Sequence, residues 1–213
     1  DDACPAGPRT PTQAVDDAGI GTVAWSNPES IGSSDNTKAS ITLTLGQTSH
    51  YLKATAPPFQ IPANQQIDGI VVEVECDQLL VLTQSLSVKL VKGGSISEAA
   101  VFAGEIPQTE AYVTFGNSTY LWGTTLTPAD INSGFGVACY IDSALADTYE
   151  INHIRITVYC STPPSTTTLS IEEFTEWPEA TYQLQEAEEL PISPVSISGT
   201  ATGVGTASGT ISA

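Results

Sequence analysis

Apolar and polar residues alternate along most of the first 160 positions of the chain. In one run, Ile70, Val72 and Val74 occupy one face, and Glu73 and Glu75 occupy the other. The same period recurs around residues 41–45, 86–90, 112–115, 135–141 and 154–160. Such alternation is typical of strands that bury one face, and turn-forming residues separate the runs. The pattern predicts roughly seven or eight antiparallel strands.

A helical period near 3.6 residues is not sustained anywhere in the sequence. One helical turn is predicted over residues 127–131, because Thr127 can cap it and Pro128 suits its first position. We therefore predict an all-β fold in which residues 25–160 form an antiparallel, jelly-roll-like β-sandwich. Periodicity alone does not fix the order of the strands.

The segments that flank the predicted sandwich have different compositions. Residues 1–24 contain Pro, Asp and Gly without clear periodicity, and we expect an N-terminal arm with one strand around Thr22–Trp25. Residues 161–194 are rich in Pro and Glu, and we expect a linker with short strands. Residues 195–213 alternate small or apolar residues with Ser and Thr. The sequence therefore divides into an arm, a sandwich, a linker and a tail.

The tail over residues 195–213 is predicted to be an extended β-strand that pairs with another subunit. Its 19 residues would span on the order of 60 Å when extended, which exceeds an ordinary strand. A flexible tail and a small β-module over residues 165–213 are the alternatives. The apolar residues proposed for this assembly strand are Val195, Ile197, Ala201, Val204, Ala207 and Ile211.

The chain of 213 residues is strongly acidic, with 24 Asp and Glu residues against 6 Lys and Arg residues and a formal net charge of −18. Phosphate binding needs clustered cations, so this composition excludes electrostatic binding of nucleic acid. Attachment to anionic lipids through basic residues is excluded for the same reason. No apolar run approaches the roughly 18 residues of a transmembrane helix, so membrane insertion is not expected.

The sequence has no Met and begins at Asp1 without an apolar signal core. These features indicate a mature extracellular or cell-surface protein whose signal peptide has been removed, or a product of processing in a virus particle. Four cysteines suit disulfides in an oxidising compartment. Of the three possible pairings we favour Cys4 with Cys160 and Cys76 with Cys139, and free buried thiols are the alternative. No CxxC pair is present, and zinc is not predicted.

A series of short motifs runs through the predicted sandwich. The motifs are WSNP at 25–28, YLKAT at 51–55, FQIP at 59–62, IDGIVVEVE at 67–75, VKLVKGG at 88–94, LWG at 121–123, LTPADIN at 126–132, FGVA at 135–138 and HIRITVY at 153–159. In this order and spacing, they resemble a β-sandwich domain of tailed-phage structural proteins and secreted bacterial surface proteins. The resemblance implies a jelly-roll-like module used in particles, fibres and surface proteins, without enzyme activity.

Residues that could carry catalysis are sparse. The two histidines, His50 and His153, are not accompanied by a nucleophile elbow or a comparable motif. The carboxylates are scattered, so no acid–base pair can be named from their spacing. No enzyme activity is predicted.

Two kinds of binding site are considered. Exposed aromatic residues could contact a glycan, and the candidates are Trp25, Trp122 and Trp177, with Tyr112 and Tyr120. For Trp25 and Trp122, which lie beside apolar strand positions, we favour core packing over a glycan contact. Oxygen-rich loops could hold Ca²⁺, although none has EF-hand spacing. The loop residues considered for Ca²⁺ are Asp35 with Asn36, Asp130 with Asn132, and Asp142 with Asp147.

These features predict a structural subunit of an extracellular or surface filament or sheath. The subunit would form a homopolymer by donor-strand-like exchange, in which a neighbour's tail pairs with an open sandwich edge. A decoration or fibre protein of a phage particle is one alternative, and a carbohydrate-binding or adhesive module is the other. Glycan binding that depends on Trp122 or Trp177 would favour the module.

Overall fold

The computed structural model describes residues 4–80, 83–99 and 101–163. This part of the chain is almost entirely β-structure, with one short α-helix, α1 (Pro128–Asn132), and one 3₁₀ turn (Pro28–Ile31). The strands are β1 (Ala6–Arg9), β2 (Gln13–Asp17), β3 (Ala39–Leu43), β4 (Tyr51–Thr55), β5 (Gln66–Gln78), β6 (Ser85–Lys92), β7 (Ser95–Ile96), β8 (Phe102–Glu105), β9 (Ala111–Asn117), β10 (Gly136–Tyr140) and β11 (Asp147–Ser161).

The strands form two antiparallel sheets. Sheet 1 has the order β3–β11–β5–β9, and β1 pairs with the far end of β11. Sheet 2 has the order β2–β4–β10–β6, with β7 and β8 both paired with β6. From β3 to β11 most connections pass from one sheet to the other, so that early strands lie beside late ones. This strand order is that of a jelly roll, and the predicted fold class is confirmed.

The inner faces of the two sheets form the core. Ile70, Val72 and Val74 are fully buried on β5, whereas Glu73 lies on the outer face of the same strand. Val74 pairs directly with Ile154 of β11, which is also fully buried. The alternation read from the sequence is therefore the inside–outside alternation of the strands. Burial of each such side chain contributes about 1.5–3 kcal/mol relative to an exposed position.

The N-terminal arm is part of the sandwich. β1 pairs with β11 in sheet 1, and β2 pairs with β4 in sheet 2, so the arm contacts both sheets. The strand expected around Thr22–Trp25 is not formed, and Val23 makes an isolated bridge with Ser49 instead. The side chain of Trp25 enters the core, and its indole N–H donates to the His50 carbonyl at 2.9 Å. This hydrogen bond anchors the segment around Trp25, although the segment does not pair as a β-strand.

Helix α1 begins where the sequence predicted. The Thr127 hydroxyl accepts a hydrogen bond from the Asp130 N–H, and the Asp130 carboxylate accepts one from the Thr127 N–H at 2.9 Å. This reciprocal capping box satisfies two N–H groups that lack helical partners. Pro128 occupies the first turn, where its missing N–H is not needed. The cap and the proline together fix where this five-residue helix begins.

The cysteines follow the predicted pairing only in part. Cys4 and Cys160 form a disulfide with their Cα atoms 5.5 Å apart, which confirms that pair. The predicted Cys76–Cys139 disulfide is wrong, because both residues are free and buried. They lie on β5 and β10 in opposite sheets, and facing the same core does not by itself give two cysteines the Cα separation and side-chain direction that a disulfide needs. Burial raises the pKa of Cys76 to about 12 and also raises the pKa of Cys139, so both thiols stay protonated at neutral pH.

Three of the sequence-based predictions lie outside the described residues. They concern the linker beyond residue 163, the assembly strand over residues 195–213, and Trp177. Within the described part of the chain, no helix is long and apolar enough to cross a membrane.

Candidate binding site

An open surface depression lies at the end of the sandwich where β5 begins and β11 ends. Its volume is about 510 Å³, and four segments of the chain contribute to it. The residues that line it are Cys4, Pro5, Gln66, Ile67, Asp68, Ser118, Thr119, Leu121, Tyr159 and Cys160. The depression therefore joins the N-terminal segment, the start of β5, the loop after β9 and the end of β11.

The loop after β9 reaches the depression because β5 leaves space for it at Gly69. A Cβ atom at that position would clash with backbone atoms of Asn117 and Ser118. The loop is anchored by Trp122, whose side chain is fully buried. The indole N–H of Trp122 donates to the Ile70 carbonyl at 3.0 Å. Gly69 leaves room for the loop, and the buried side chain of Trp122 anchors it at the rim of the depression.

The burial of Trp122 agrees with the core position that the sequence favoured for it over a glycan contact. A fully buried indole cannot pack against a glycan, so Trp122 is not a glycan contact and belongs to the core. Its φ angle of 58° lies in the left-handed region. The alternation of strand residues does not anticipate that conformation.

Hydrogen bonds hold the polar side chains of the depression in place. Oδ1 of Asp68 accepts hydrogen bonds from the Ser161 hydroxyl at 3.0 Å and from the Gln66 amide at 3.3 Å. Oδ1 of Asn117 accepts from the N–H and the hydroxyl of Thr119 at 2.9 and 3.0 Å. Since a carboxylate has about four acceptor positions, Asp68 retains the capacity to accept a hydrogen bond from a ligand.

Apolar surfaces complete the depression. Tyr159 of β11 pairs with Gly69 of β5. Because Gly69 has no side chain, nothing on β5 covers the phenol ring at this position. Leu121 and the disulfide between Cys4 and Cys160 add further apolar surface. A half-buried tyrosine beside hydroxyl, amide and carboxylate groups offers a ligand both packing and hydrogen bonding.

The depression differs in charge from the outer face of sheet 1. Asp68 is the single charged side chain among the described residues that line the depression. On the outer face of sheet 1, Lys38 contacts carboxylates of Asp77, Glu110 and Glu150 at 2.9, 2.8 and 3.0 Å. Burial lowers the pKa of Lys38, but the hydrogen bonds with these carboxylates outweigh burial and raise it. The charged ammonium group therefore cross-links neighbouring segments of sheet 1.

His153 has a structural position on the outer face of β11. Its Nδ1 lies 2.8 Å from the Tyr112 hydroxyl, and its Nε2 lies 3.0 Å from the Thr10 hydroxyl. The guanidinium group of Arg155 lies over the Tyr112 ring, 4.1 Å from its centroid. Burial lowers the pKa of His153, which favours the neutral imidazole. Because both ring nitrogens have partners, the ring ties the N-terminal arm to sheet 1.

Most of the loop residues considered for Ca²⁺ already have hydrogen-bond partners within the protein. Asp35 accepts hydrogen bonds from the Ser33 hydroxyl at 2.7 Å and from the Thr37 N–H at 2.9 Å. Asp130 bonds locally to Thr127. The remaining side chains bond to segments distant in sequence, namely Asn132 to Ile61, Asp142 to Thr48, and Asp147 to Leu80 as well as to its neighbour Thr148. In the described ranges, no group of three or more His, Cys, Asp or Glu residues could hold a metal ion.

Two antiparallel sheets packed face to face define the protein as a β-sandwich. No family model matches the chain, and no curated protein matches it. Among solved structures, it is similar to the apo form of the carbohydrate-binding module BiXyn10A CBM1, with 8% identity and a TM-score of 0.38, over 70% of this chain and 98% of that chain. It is also similar to TmCBM61, solved with β-1,4-galactotriose, with 10% identity and a TM-score of 0.34, over 68% of this chain and 86% of that chain. Likeness this distant does not transfer a ligand or binding residues, and it indicates no phage or secreted-protein family.

Sequence reasoning missed the residues of the depression. Asp68 and Tyr159 look like ordinary outward-facing strand residues, and the alternation does not connect them with the loop after β9. One signal could have found that connection. Gly69 interrupts an otherwise regular strand, and an isolated glycine in a strand often marks the close approach of another backbone.

Proposed function

We propose that the sandwich is a non-catalytic carbohydrate-binding module and that the depression is its ligand site. The observation that carries this proposal is the combination of the Tyr159 ring with the fixed polar groups of Asp68 and Thr119 in one open concavity. Sites for small ligands combine apolar lining with a few placed polar groups. Sugars present both kinds of surface, because their C–H faces pack on aromatic rings and their hydroxyls form hydrogen bonds.

The ligand that we propose is an uncharged sugar. The described lining contains a carboxylate and no cation, and the chain carries a formal net charge of −18. Both features repel acidic glycans. The Asp68 carboxylate accepts hydrogen bonds only, which suits the hydroxyl donors of a neutral sugar. The openness of the depression suits a short stretch or an end of a glycan.

A structural role in a surface filament or a phage particle is the second candidate. It is supported by the alternating pattern of residues 195–213. The described sandwich buries the inner-face residues of both sheets in one core without a strand from another molecule. A donated strand would therefore add to an edge such as β9 rather than complete the core. An extracellular location is compatible with the Cys4–Cys160 disulfide and stays a prediction.

The carbohydrate proposal is tested by screening the full-length protein on an array of neutral glycans that includes β-1,4-galactotriose. Binding of the strongest ligand is then measured by titration calorimetry. The Tyr159→Ala variant is expected to bind at least about tenfold more weakly, about 1.4 kcal/mol, because it removes the packing surface. The Asp68→Asn variant keeps the size of the side chain and is expected to bind several-fold more weakly, because it loses a charged acceptor.

The matched control is Glu98→Gln. It removes the same charge from a side chain that is 93% exposed and lies outside the depression, so it should bind like the unaltered protein. Chromatography of the bound glycan should show no cleavage products. Failure of every neutral glycan to bind, or unchanged affinity in Tyr159→Ala, would reject the proposed site.

A further inference from the structure

The end of the sandwich opposite the depression is built from three loops. The loops are residues 44–48, residues 79–80 with 83–84, and residues 141–146. The N–H of Gly46 donates to the Ser143 carbonyl at 2.8 Å, and the amide oxygen of Gln84 accepts from the Ala144 N–H at 3.0 Å. The loop after β10 is therefore hydrogen-bonded to both of the other loops, and the three share one surface.

Each of these loops exposes leucine. Leu45 is 73% exposed, Leu79 66%, Leu80 48% and Leu145 37%. We call these four side chains the leucine end. Isolated apolar residues are normal on a soluble surface, but contiguous ones indicate an interaction site. Loops are usually polar, so leucines in three adjoining loops need a reason.

Hydrogen bonds to the start of β11 anchor the backbone at two of these leucines. The N–H of Leu79 donates to the Thr148 carbonyl at 3.2 Å, and the N–H of Leu80 donates to the Asp147 carboxylate at 3.1 Å. Asp147 also accepts from the Thr148 N–H at 2.7 Å. These bonds fix the backbone at Leu79 and Leu80 against the start of β11.

The leucine end carries little charge on a strongly acidic protein. The described residues of its three loops include one charged residue, Asp142, which accepts a hydrogen bond from the Thr48 hydroxyl. The exposed Glu105 borders the same end, because it pairs with Ser85 beside the loop after β5. Two molecules of net charge −18 repel each other within a Debye length of about 8 Å at physiological ionic strength. Contact through the leucine end keeps most of their acidic surfaces apart.

We infer that the leucine end is a self-association surface at which two copies of this chain meet end to end. A two-fold contact places the same patch on both molecules, so apolar side chains face apolar side chains. Four leucine side chains are few beside the roughly 20–30 residues that each partner contributes to a stable complex. The association is therefore weak and depends on concentration. Such a dimer leaves both depressions at its outer ends, where two ligands can bind at once.

Sedimentation velocity of the full-length protein, from micromolar to millimolar concentration, tests this inference. The unaltered protein should move from monomer toward dimer as concentration rises, and added salt should strengthen the association. The double variant Leu79→Asn with Leu145→Asn should associate at least about tenfold more weakly. Val15→Asn is the matched control, because Val15 is 52% exposed on β2 and should not affect association. Circular dichroism melts establish that each variant is folded.

Four outcomes would overturn the inference. The first is a monomer at every concentration, and the second is association that the double leucine variant leaves unchanged. The third is association that disappears when residues 195–213 are deleted but persists in the leucine variant, which would assign it to the tail. The fourth is flotation with phosphatidylcholine vesicles that requires the leucines in a protein that does not self-associate, which would assign the patch to a lipid surface.

Discussion

At one end of the sandwich, β5 begins and β11 ends beside a disulfide and a group of polar side chains, whereas at the other end the same two strands adjoin loops that expose leucines. The 15 residues of β11 separate the two ends by roughly 45 Å. β5 and β11 thus connect a mostly polar surface at one end with an apolar surface at the other. The comparison shows that strand ends and loops both shape the two surfaces, since Asp68 and Tyr159 of the depression lie on β5 and β11, whereas the exposed leucines at the other end lie in loops.

The largest expected effect comes from removing the cross-link at the depression end. In the Cys4→Ser with Cys160→Ser variant, the free energy of unfolding should fall by about 2–5 kcal/mol, because the disulfide closes a loop with a sequence separation of 156. Urea denaturation measures this loss. Glycan binding should weaken as well, while association through the leucine end should persist. If glycan binding and association through the leucine end weakened equally, the two surfaces would not be independent.

Two controls belong to that experiment. Dithiothreitol should destabilise the unaltered protein to the level of the variant and leave the variant unchanged. The mass of the unreduced protein should be lower than the reduced mass by two hydrogens, because Cys76 and Cys139 are free. A difference of four hydrogens would mean that this second pair is also bonded.

A smaller effect is expected from filling the space beneath the loop after β9. Gly69→Ala should lower the free energy of unfolding by about 1–3 kcal/mol, because the new Cβ meets backbone that cannot move easily. It should also weaken glycan binding by displacing the loop. Gly32→Ala is the control, since its Cβ has ordinary space, with the Pro11 carbonyl oxygen at 3.7 Å. Equal stability of the two variants would contradict the account of how the depression is formed.

A pH effect should arise between the two ends, at His153. Burial lowers its pKa below the ordinary value of 6.5, so the unfolded chain binds a proton at a higher pH than the folded one. The stability from the neutral ring is therefore complete above pH 6.5 and declines as the pH falls below that value. Urea denaturation across this range should show a smaller decline in His153→Gln. An equal decline in both proteins would remove His153 as the cause.

The smallest effect on stability is expected at the leucine end. Leu79→Asn and Leu145→Asn should each change the free energy of unfolding by no more than about 0.5 kcal/mol, because both side chains are exposed. Glycan affinity should also be unchanged in calorimetric titrations. A large loss of stability would show that these leucines pack within one molecule rather than between two.

The sequence predicted those parts of the fold that depend on local pattern. The period of two identified the inner face of β5, because its inward positions from Ile70 to Cys76 are apolar, and the capping residues identified α1. β1 and β2 escaped prediction because they are short and lack clear alternation. Their place is set by pairing with β11 and β4, which are distant in sequence.

The candidate site was less predictable for a related physical reason. The pairing of Cys4 with Cys160 followed from the idea that the arm lies against the last strand, and the structure has that disulfide. Facing inward was not sufficient for Cys76 and Cys139, because partners must also approach across the space between two sheets. The left-handed backbone at Trp122 likewise depends on the loop around it. Contacts between distant segments leave no periodic signal in one sequence.

The Cys4–Cys160 disulfide has a mechanical consequence. It joins the two places where the described sandwich connects to the rest of the chain, so a pull on the flanking segments would run through the S–S bond. The chain between Cys4 and Cys160 forms a covalently closed loop, so the force would bypass its strands. In the oxidised protein, the module would transmit tension without unfolding, and reduction would shift the whole load onto the hydrogen bonds between β1 and β11.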